Sequence, residues 1–375
     1  MSNSKRPGSQ GWVIGRAAGA PIILTPTWGL AAVVLTLVFA PTVDAWAPRL
    51  GAGSYVVAFG FVVLLFGSVL VHELAHGLVA RARGQHVEEF ALTVWGGHTT
   101  FSRPAPTAAT SALVAVVGPL ANLALALVFW LAAQTAPAGG LLALLLFAGA
   151  ISNGFVGLFN LVPGLPLDGG QILQAGVWQV TGDRHKGAVA AGWAGRVVAI
   201  GVLVWALVVP VAQGRQGDLF SVVWAALIGA FLWSGASAAI ASGRTGRSLD
   251  RLTVESVGRR ATWVSADATL ADVDRARGLA QVDEVVVLSP DGRPAAYVDQ
   301  AASAAVPPAH RAVTPVTAVA VVIPVGAVVD ARLRGADLVR AVGQVTRASG
   351  VVAAVQDGRV TAIVRAADVI AALRS

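Results

Sequence analysis

The residues best placed to do chemistry are His72-Glu73-Leu74-Ala75-His76, inside the otherwise uncharged run Ser54–Ala80. In a helix, positions i and i+4 share one face a turn apart, so both imidazoles can reach one ion. Glu73 is displaced round the helix and can address a water on that ion instead of the ion itself. A five-residue pattern with three fixed positions recurs by chance, so the setting carries the weight. Three ionisable groups within five residues of a membrane helix are costly without a shared purpose. The plain alternatives are a polar kink or a proton-relay carboxylate in a transporter.

A catalytic zinc site usually takes three protein ligands and keeps one position open. The other histidines are His86, His98, His185 and His310, yet the candidate third ligand is Asp168. It lies in Asn160-Leu-Val-Pro-Gly-Leu-Pro-Leu-Asp-Gly-Gly170, where Pro163 and Pro166 forbid a regular helix and Gly169-Gly170 permit close backbone approach. Irregular backbone at membrane depth is tolerated where it is buried or lines a cavity; an ordinary proline-rich loop is the other reading.

The elements that must hold these residues follow from composition. Only 13% of the 375 residues are charged and 55% are hydrophobic, about half the charge of a soluble domain, and the deficit falls almost wholly in residues 20–242. Six stretches are long enough to cross a bilayer: roughly 24–43, 54–80, 107–133, 138–162, 187–212 and 219–241. Arg81 with Arg83, Arg184 with Lys186, and Arg244, Arg247 and Arg251 mark one side, which the positive-inside bias places in the cytoplasm with both termini. The expectation is a multi-pass protein of the cell (plasma) membrane. The net charge of +7 is read as topology, with no nucleic-acid partner, and the N-terminus does not read as a signal peptide. Without cysteine there is no disulfide or thiolate chemistry. Counting inward from Arg81, His72 lies roughly 13 Å deep at 1.5 Å per residue, so water must reach it through a polar cavity.

Between the second and third spans, Val87–Phe101 is too short to cross. Phe90, Leu92 and Val94 alternate with Ala91, Thr93 and Trp95 at the period of a strand. A membrane-associated β-hairpin is expected, with Trp95, Gly96, Gly97 and His98 as an edge that could pair with unwound substrate. His98 is read as a channel or structural residue.

His72–His76, Gly118-Pro119-Leu-Ala-Asn122 and Asn160–Gly170 together resemble the three signatures of the site-2 protease family, peptidase family M50, over roughly residues 10–242. The resemblance implies one zinc ion on His72, His76 and Asp168, with Glu73 as general base. It also implies cleavage of transmembrane segments of membrane-anchored, single-span substrates such as anti-sigma factors. Asn122 and Asn160 are candidates for binding the substrate backbone or an oxyanion, helix–helix hydrogen bonding being the alternative. A transporter or channel with a regulatory tail is the competing function; it leaves the metal-ligand spacing unexplained.

The tail contains a repeat at an offset of 66 residues: Asp291-Gly-Arg-Pro-Ala-Ala-Tyr-Val-Asp-Gln-Ala-Ala302 against Asp357-Gly-Arg-Val-Thr-Ala-Ile-Val-Arg-Ala-Ala-Asp368. Each copy has a strand (Glu284–Leu288, Val351–Val355), an Asp-Gly turn, a second strand and a helix start. The copies resemble a tandem pair of CBS modules. The fold expected is thus a polytopic α-helical membrane protein of six transmembrane helices, residues 1–248, followed by an α/β CBS pair at 249–307 and 308–375. That resemblance implies an adenine-nucleotide site with Asp368 at the ribose. However, Ala302 stands at that position in the first copy, and Arg365 stands where the family has Thr. A structural pair, or one that forms a homodimer, is an equal reading. A ligand there could regulate access to the zinc site.

Overall fold

Apolar length decides most of the N-terminal part of the chain. The computed structural model describes residues 9–94, 96–137, 139–214, 219–346 and 350–374, which fall into two units, Met1–Gly243 and Arg244–Ser375. Six helices are long and apolar enough to cross a membrane: α1 (Pro26–Trp46), α2 (Gly53–Ala82), α3 (Ala108–Thr135), α4 (Leu141–Asn160), α6 (Arg184–Ala212) and α7 (Leu219–Arg251). Between α4 and α6 lies the shorter α5 (Asp168–Thr181). The chain is a multi-pass membrane protein.

Local chemistry explains where these helices begin and end. Pro26 starts α1, where its missing N–H costs nothing. Thr107 and Asp183 cap α3 and α6 with side-chain oxygens, and Gly182 ends α5 in the left-handed conformation. The burial pattern inverts that of a soluble bundle. On α6 the buried positions are small, including Gly187, Ala191, Gly192, Gly195 and Ala199, while Trp193, Val197 and Trp205 are exposed. Small residues let membrane helices approach closely, and large apolar ones meet lipid.

A four-stranded sheet lies against α2, in the order β1 (Trp12–Ala17), β2 (Ala20–Leu24), β3 (Val87–Thr93), β4 (Gly96–Phe101). The expected hairpin is β3–β4, but it is half of a larger sheet. Ala20–Leu24, whose end was expected to begin the first span, is a strand parallel to β3. The alternation expected over residues 90–95 is not one of burial: Phe90, Ala91 and Leu92 are all buried, because β3 is an inner strand packed by both α2 and α1. Two other expectations need adjustment. The segment after α4 is unwound only from residue 161 to 167, since a helix starts at Asp168 itself. The helix that holds the sixth span runs on past residue 241 to Arg251.

The C-terminal unit is built on one seven-stranded sheet, ordered β8-β7-β6-β5-β11-β10-β9. Its elements are α8 (Val254–Val257), β5 (Gly258–Ser265), α9 (Leu270–Ala280), β6 (Glu284–Leu288), β7 (Pro294–Val298), α10 (Gln300–Ala305), β8 (Ala320–Val322), β9 (Val328–Asp330), α11 (Gly335–Val345), β10 (Val351–Gln356), β11 (Arg359–Arg365) and α12 (Ala366–Arg374). The repeat is structural. β5–α9–β6 and β9–α11–β10 are parallel strand–helix–strand units, each followed by a hairpin turning at Asp-Gly. The two halves share a sheet, since β8 pairs with β7 and β11 with β5.

Candidate metal centre

His72 and His76 come from α2 and Asp168 from the first turn of α5, and all three are buried. Asp168 Oδ2 lies 3.0 Å from His72 Nε2 and 3.3 Å from His76 Nε2, and the two Nε2 atoms are 3.0 Å apart. Among the described residues these three form the group able to hold a metal ion.

Backbone packing makes the convergence possible. A Cβ on Gly118 of α3 would lie 2.4 Å from His76 Nε2 and 2.7 Å from His72 Cε1, so only glycine lets α3 pass the imidazoles. A Cβ on Gly169 would lie 2.3 Å from the Leu161 carbonyl oxygen, and one on Gly170 would lie 2.2 Å from the Leu165 nitrogen. The 161–167 segment is thus folded tightly onto the start of α5, which fixes Asp168.

Hydrogen bonds behind the imidazoles set their tautomers. The Val114 carbonyl can only accept, so His76 Nδ1 donates to it, at 2.6 Å. For His72 the logic runs through three side chains. Asn153 Nδ2 donates to the Gly149 carbonyl and to Ser68 Oγ, which turns Asn153 Oδ1 toward Asn122 Nδ2, 2.8 Å away. Asn122 Oδ1 is then the acceptor facing His72 Nδ1, at 2.5 Å. Both Nδ1 atoms are donors, and both Nε2 lone pairs face Asp168 Oδ2, a buried oxygen without a hydrogen-bond donor. Three lone pairs at these separations repel unless a cation lies among them. The donor set, two imidazoles and a carboxylate, suits zinc.

The cluster opens on a cavity of about 480 Å³ lined also by Glu73, Asn160, Gln171 and the β4 residues Gly96, Gly97, His98 and Thr99. Glu73 is buried, and its Oε2 accepts a 2.7 Å hydrogen bond from Thr99 Oγ1. Asn160, the last residue of α4, reaches the cavity wall. Asn122 also borders the cavity, but its amide is engaged by His72 and Asn153. His98 is exposed and is not part of the metal-ligand group. Trp95 lies outside the described residues. Asp368 belongs to the C-terminal unit, in the first turn of α12, with Arg259 Nε 4.0 Å away. Arg365 Nη2 donates to the fully buried Glu284.

Sequence reasoning missed Thr99, Asn153 and Ser68. A polar residue within an apolar span was the available signal for Asn153 and Ser68. Thr99 carried none, since its role depends on the register of β4 against α2.

The family model for peptidase family M50 matches residues 60–138 and 131–204. A protein of Synechocystis sp. is 30% identical over 251 residues, 64% of this chain and 63% of its own length. Rip3 of Mycobacterium tuberculosis is 37% identical over 214 residues, 56% of this chain and 51% of its own length. Both carry provisional names as zinc metalloproteases, and this chain spans less than two thirds of either. Among solved structures, the site-2 protease from Methanocaldococcus jannaschii matches over 61% of this chain and 94% of its own, with 24% identity and a TM-score of 0.42. The stretch that resembles peptidase family M50, residues 60–204, contains both histidines, Glu73, Asn122 and Asp168.

Proposed function

We propose that the chain is an intramembrane zinc metalloendopeptidase that cuts the membrane-spanning segments of single-span proteins. One observation carries the reading: two imidazoles with committed tautomers and a carboxylate converge beside a buried glutamate in a cavity edged by a strand.

His72, His76 and Asp168 would hold the ion. When bound, zinc supplies Lewis-acid polarisation and lowers the pKa of water. Glu73 takes a proton from the attacking water and can return it to the leaving amine. The Asn160 amide, on the same cavity wall, can donate to the substrate carbonyl as negative charge develops there. Asn122 is assigned to holding His72 in place of the oxyanion role, because its Oδ1 faces His72 Nδ1 and its amide donates to Asn153. A helical peptide bond is shielded from attack, and strand addition along β4 would present it extended.

The arginine distribution supports a cytoplasmic location for both termini and for the shallower side of the site. A plasma-membrane location, and regulators such as anti-sigma factors as substrates, rest on the family resemblance. The repeat supports reading the C-terminal unit as a CBS pair. Arg365 is already engaged by Glu284, which favours a structural or dimerising role for the pair over adenine-nucleotide binding at Asp368.

The test is metal analysis of the purified full-length protein, with cleavage of co-expressed single-span candidates. One zinc per chain is expected, retained in Glu73→Gln while cleavage falls by about 10²–10⁴-fold. Asp168→Ala is expected to lose the metal. A wild-type protein that binds no metal would sink the reading.

A further inference from the structure

Side chains alternate along a strand, so Gly97, Thr99 and Phe101 share one face of β4. That face meets α2. A Cβ on Gly97 would stand 2.5 Å from Glu73 Cγ and 3.0 Å from Oε1. Thr99 Oγ1 donates to Glu73 Oε2 at 2.7 Å and lies 3.2 Å from the Glu73 carbonyl oxygen. Phe101 packs with Phe90, Leu70 and Leu74. The glutamate is thus held between a glycine that gives it room and a hydroxyl that fixes one oxygen.

The backbone of the same residues points elsewhere. The Leu92 carbonyl accepts from Thr25 N–H, on the β2 side of β3. Its neighbours Ala91 and Thr93 therefore turn their backbone groups toward β4, where their partners are His98 and Gly96. By alternation, Gly97 and Thr99 direct N–H and C=O away from β3. They face the sheet edge, where no further strand pairs among the described residues.

We propose that Thr99 is a positioning residue for Glu73, and that Gly97 and Thr99 tie the docking of an extended substrate to the setting of the base. The proposal rests on the protease reading above. The threonine has one hydroxyl hydrogen. Spending it on Oε2 orients the carboxylate and leaves Oε1 to take a proton. The groups offered to an incoming strand belong to these same two residues, so occupancy of the edge and alignment of Glu73 are mechanically linked. A peptide bound there lies one strand spacing from β4, about 4.8 Å, beside the carboxylate that must act on it.

The test uses the full-length, zinc-loaded protein in lipid discs. The probe is a quenched-fluorescent single-span peptide whose apolar segment is interrupted by Asn-Gly. Thr99→Val keeps shape and strand propensity but removes the donor; kcat is expected to fall roughly 10–100-fold with KM and zinc content little changed. Thr99→Ser is expected to restore most of kcat. A second readout needs no turnover. The infrared difference between wild type and Glu73→Gln isolates the Glu73 carboxylate band, which should shift in Thr99→Val and return in Thr99→Ser. A band that stays put in Thr99→Val overturns the proposal whatever the rates. A band that shifts while kcat holds also overturns it, because the contact then positions nothing that matters. If wild type leaves the probe intact while the band behaves as expected, the Thr99–Glu73 contact stands and the protease reading is what fails.

Discussion

The Gly149 carbonyl, on α4, helps to decide which nitrogen of His72 faces the metal position. It accepts from Asn153, Asn153 accepts from Asn122, and Asn122 accepts from His72. Each link is buried, so losing one partner leaves a buried polar group unsatisfied. Outer-shell partners of this kind typically matter by 10–100-fold in metal affinity or activity. Asn153→Leu, which touches no ligand, is therefore expected to weaken zinc binding by roughly 10–100-fold in competition with a chelator. Gly118→Ala acts on the other side of the rings. Its methyl would need the space of His76 Nε2, so stoichiometric zinc should be lost even though alanine is the better helix former.

Asp168 depends on how one irregular element is seated. Leu165 N–H donates to the Ala191 carbonyl of α6, a Cβ on Gly195 would lie 1.9 Å from the Leu165 carbonyl oxygen, and one on Gly235 of α7 would lie 2.6 Å from Pro166 Cγ. Gly195→Ala should push the 161–167 segment off α6 and lower zinc occupancy. Gly201→Ala, on the same helix with nothing within 4 Å of the added carbon, should leave occupancy unchanged, and metal analysis of the pair separates seating from general helix effects. This level also shows where the sequence was legible. Apolar length announced the six long helices, and the residues of all three motifs were visible because their chemistry is local. The helix α5 was hidden, since Pro163 and Pro166 made its approach read as loop. The strand β2 was hidden inside an apolar run continuous with α1, and it exists because β3, some 65 residues later, pairs with it. Thr99 and Asn153 act through neighbours on other helices and strands, a relation that spacing along the chain does not encode.

At the scale of the whole molecule, each hydrophobic cluster formed by the described residues belongs to one unit. The C-terminal unit adds a buried charge to its cores. Glu284, the first residue of β6, is fully buried; its Oε1 accepts from Arg365 Nη2 at 2.8 Å, with Arg259 Nη1 at 3.7 Å. Arg365 ends β11 and Arg259 lies in β5, so this carboxylate ties the halves of the repeat together across the shared sheet. A buried pair contributes little against an apolar replacement, but removing one partner strands the other. Glu284→Ala should cost the unit about 3 kcal/mol, the low end for such pairs because Arg365 keeps some access to water. Native-state hydrogen exchange of the β6 and β11 amides should then accelerate by roughly a hundredfold. Combining Glu284→Leu with Arg365→Met should recover much of the loss, since neither charge is left buried alone. Zinc content should match wild type in both variants, because among the described residues no ligand, tautomer-setting bond or seating glycine of the metal centre lies beyond residue 243. Parallel loss of zinc in Glu284→Ala would show instead that the two units do not hold their structures independently.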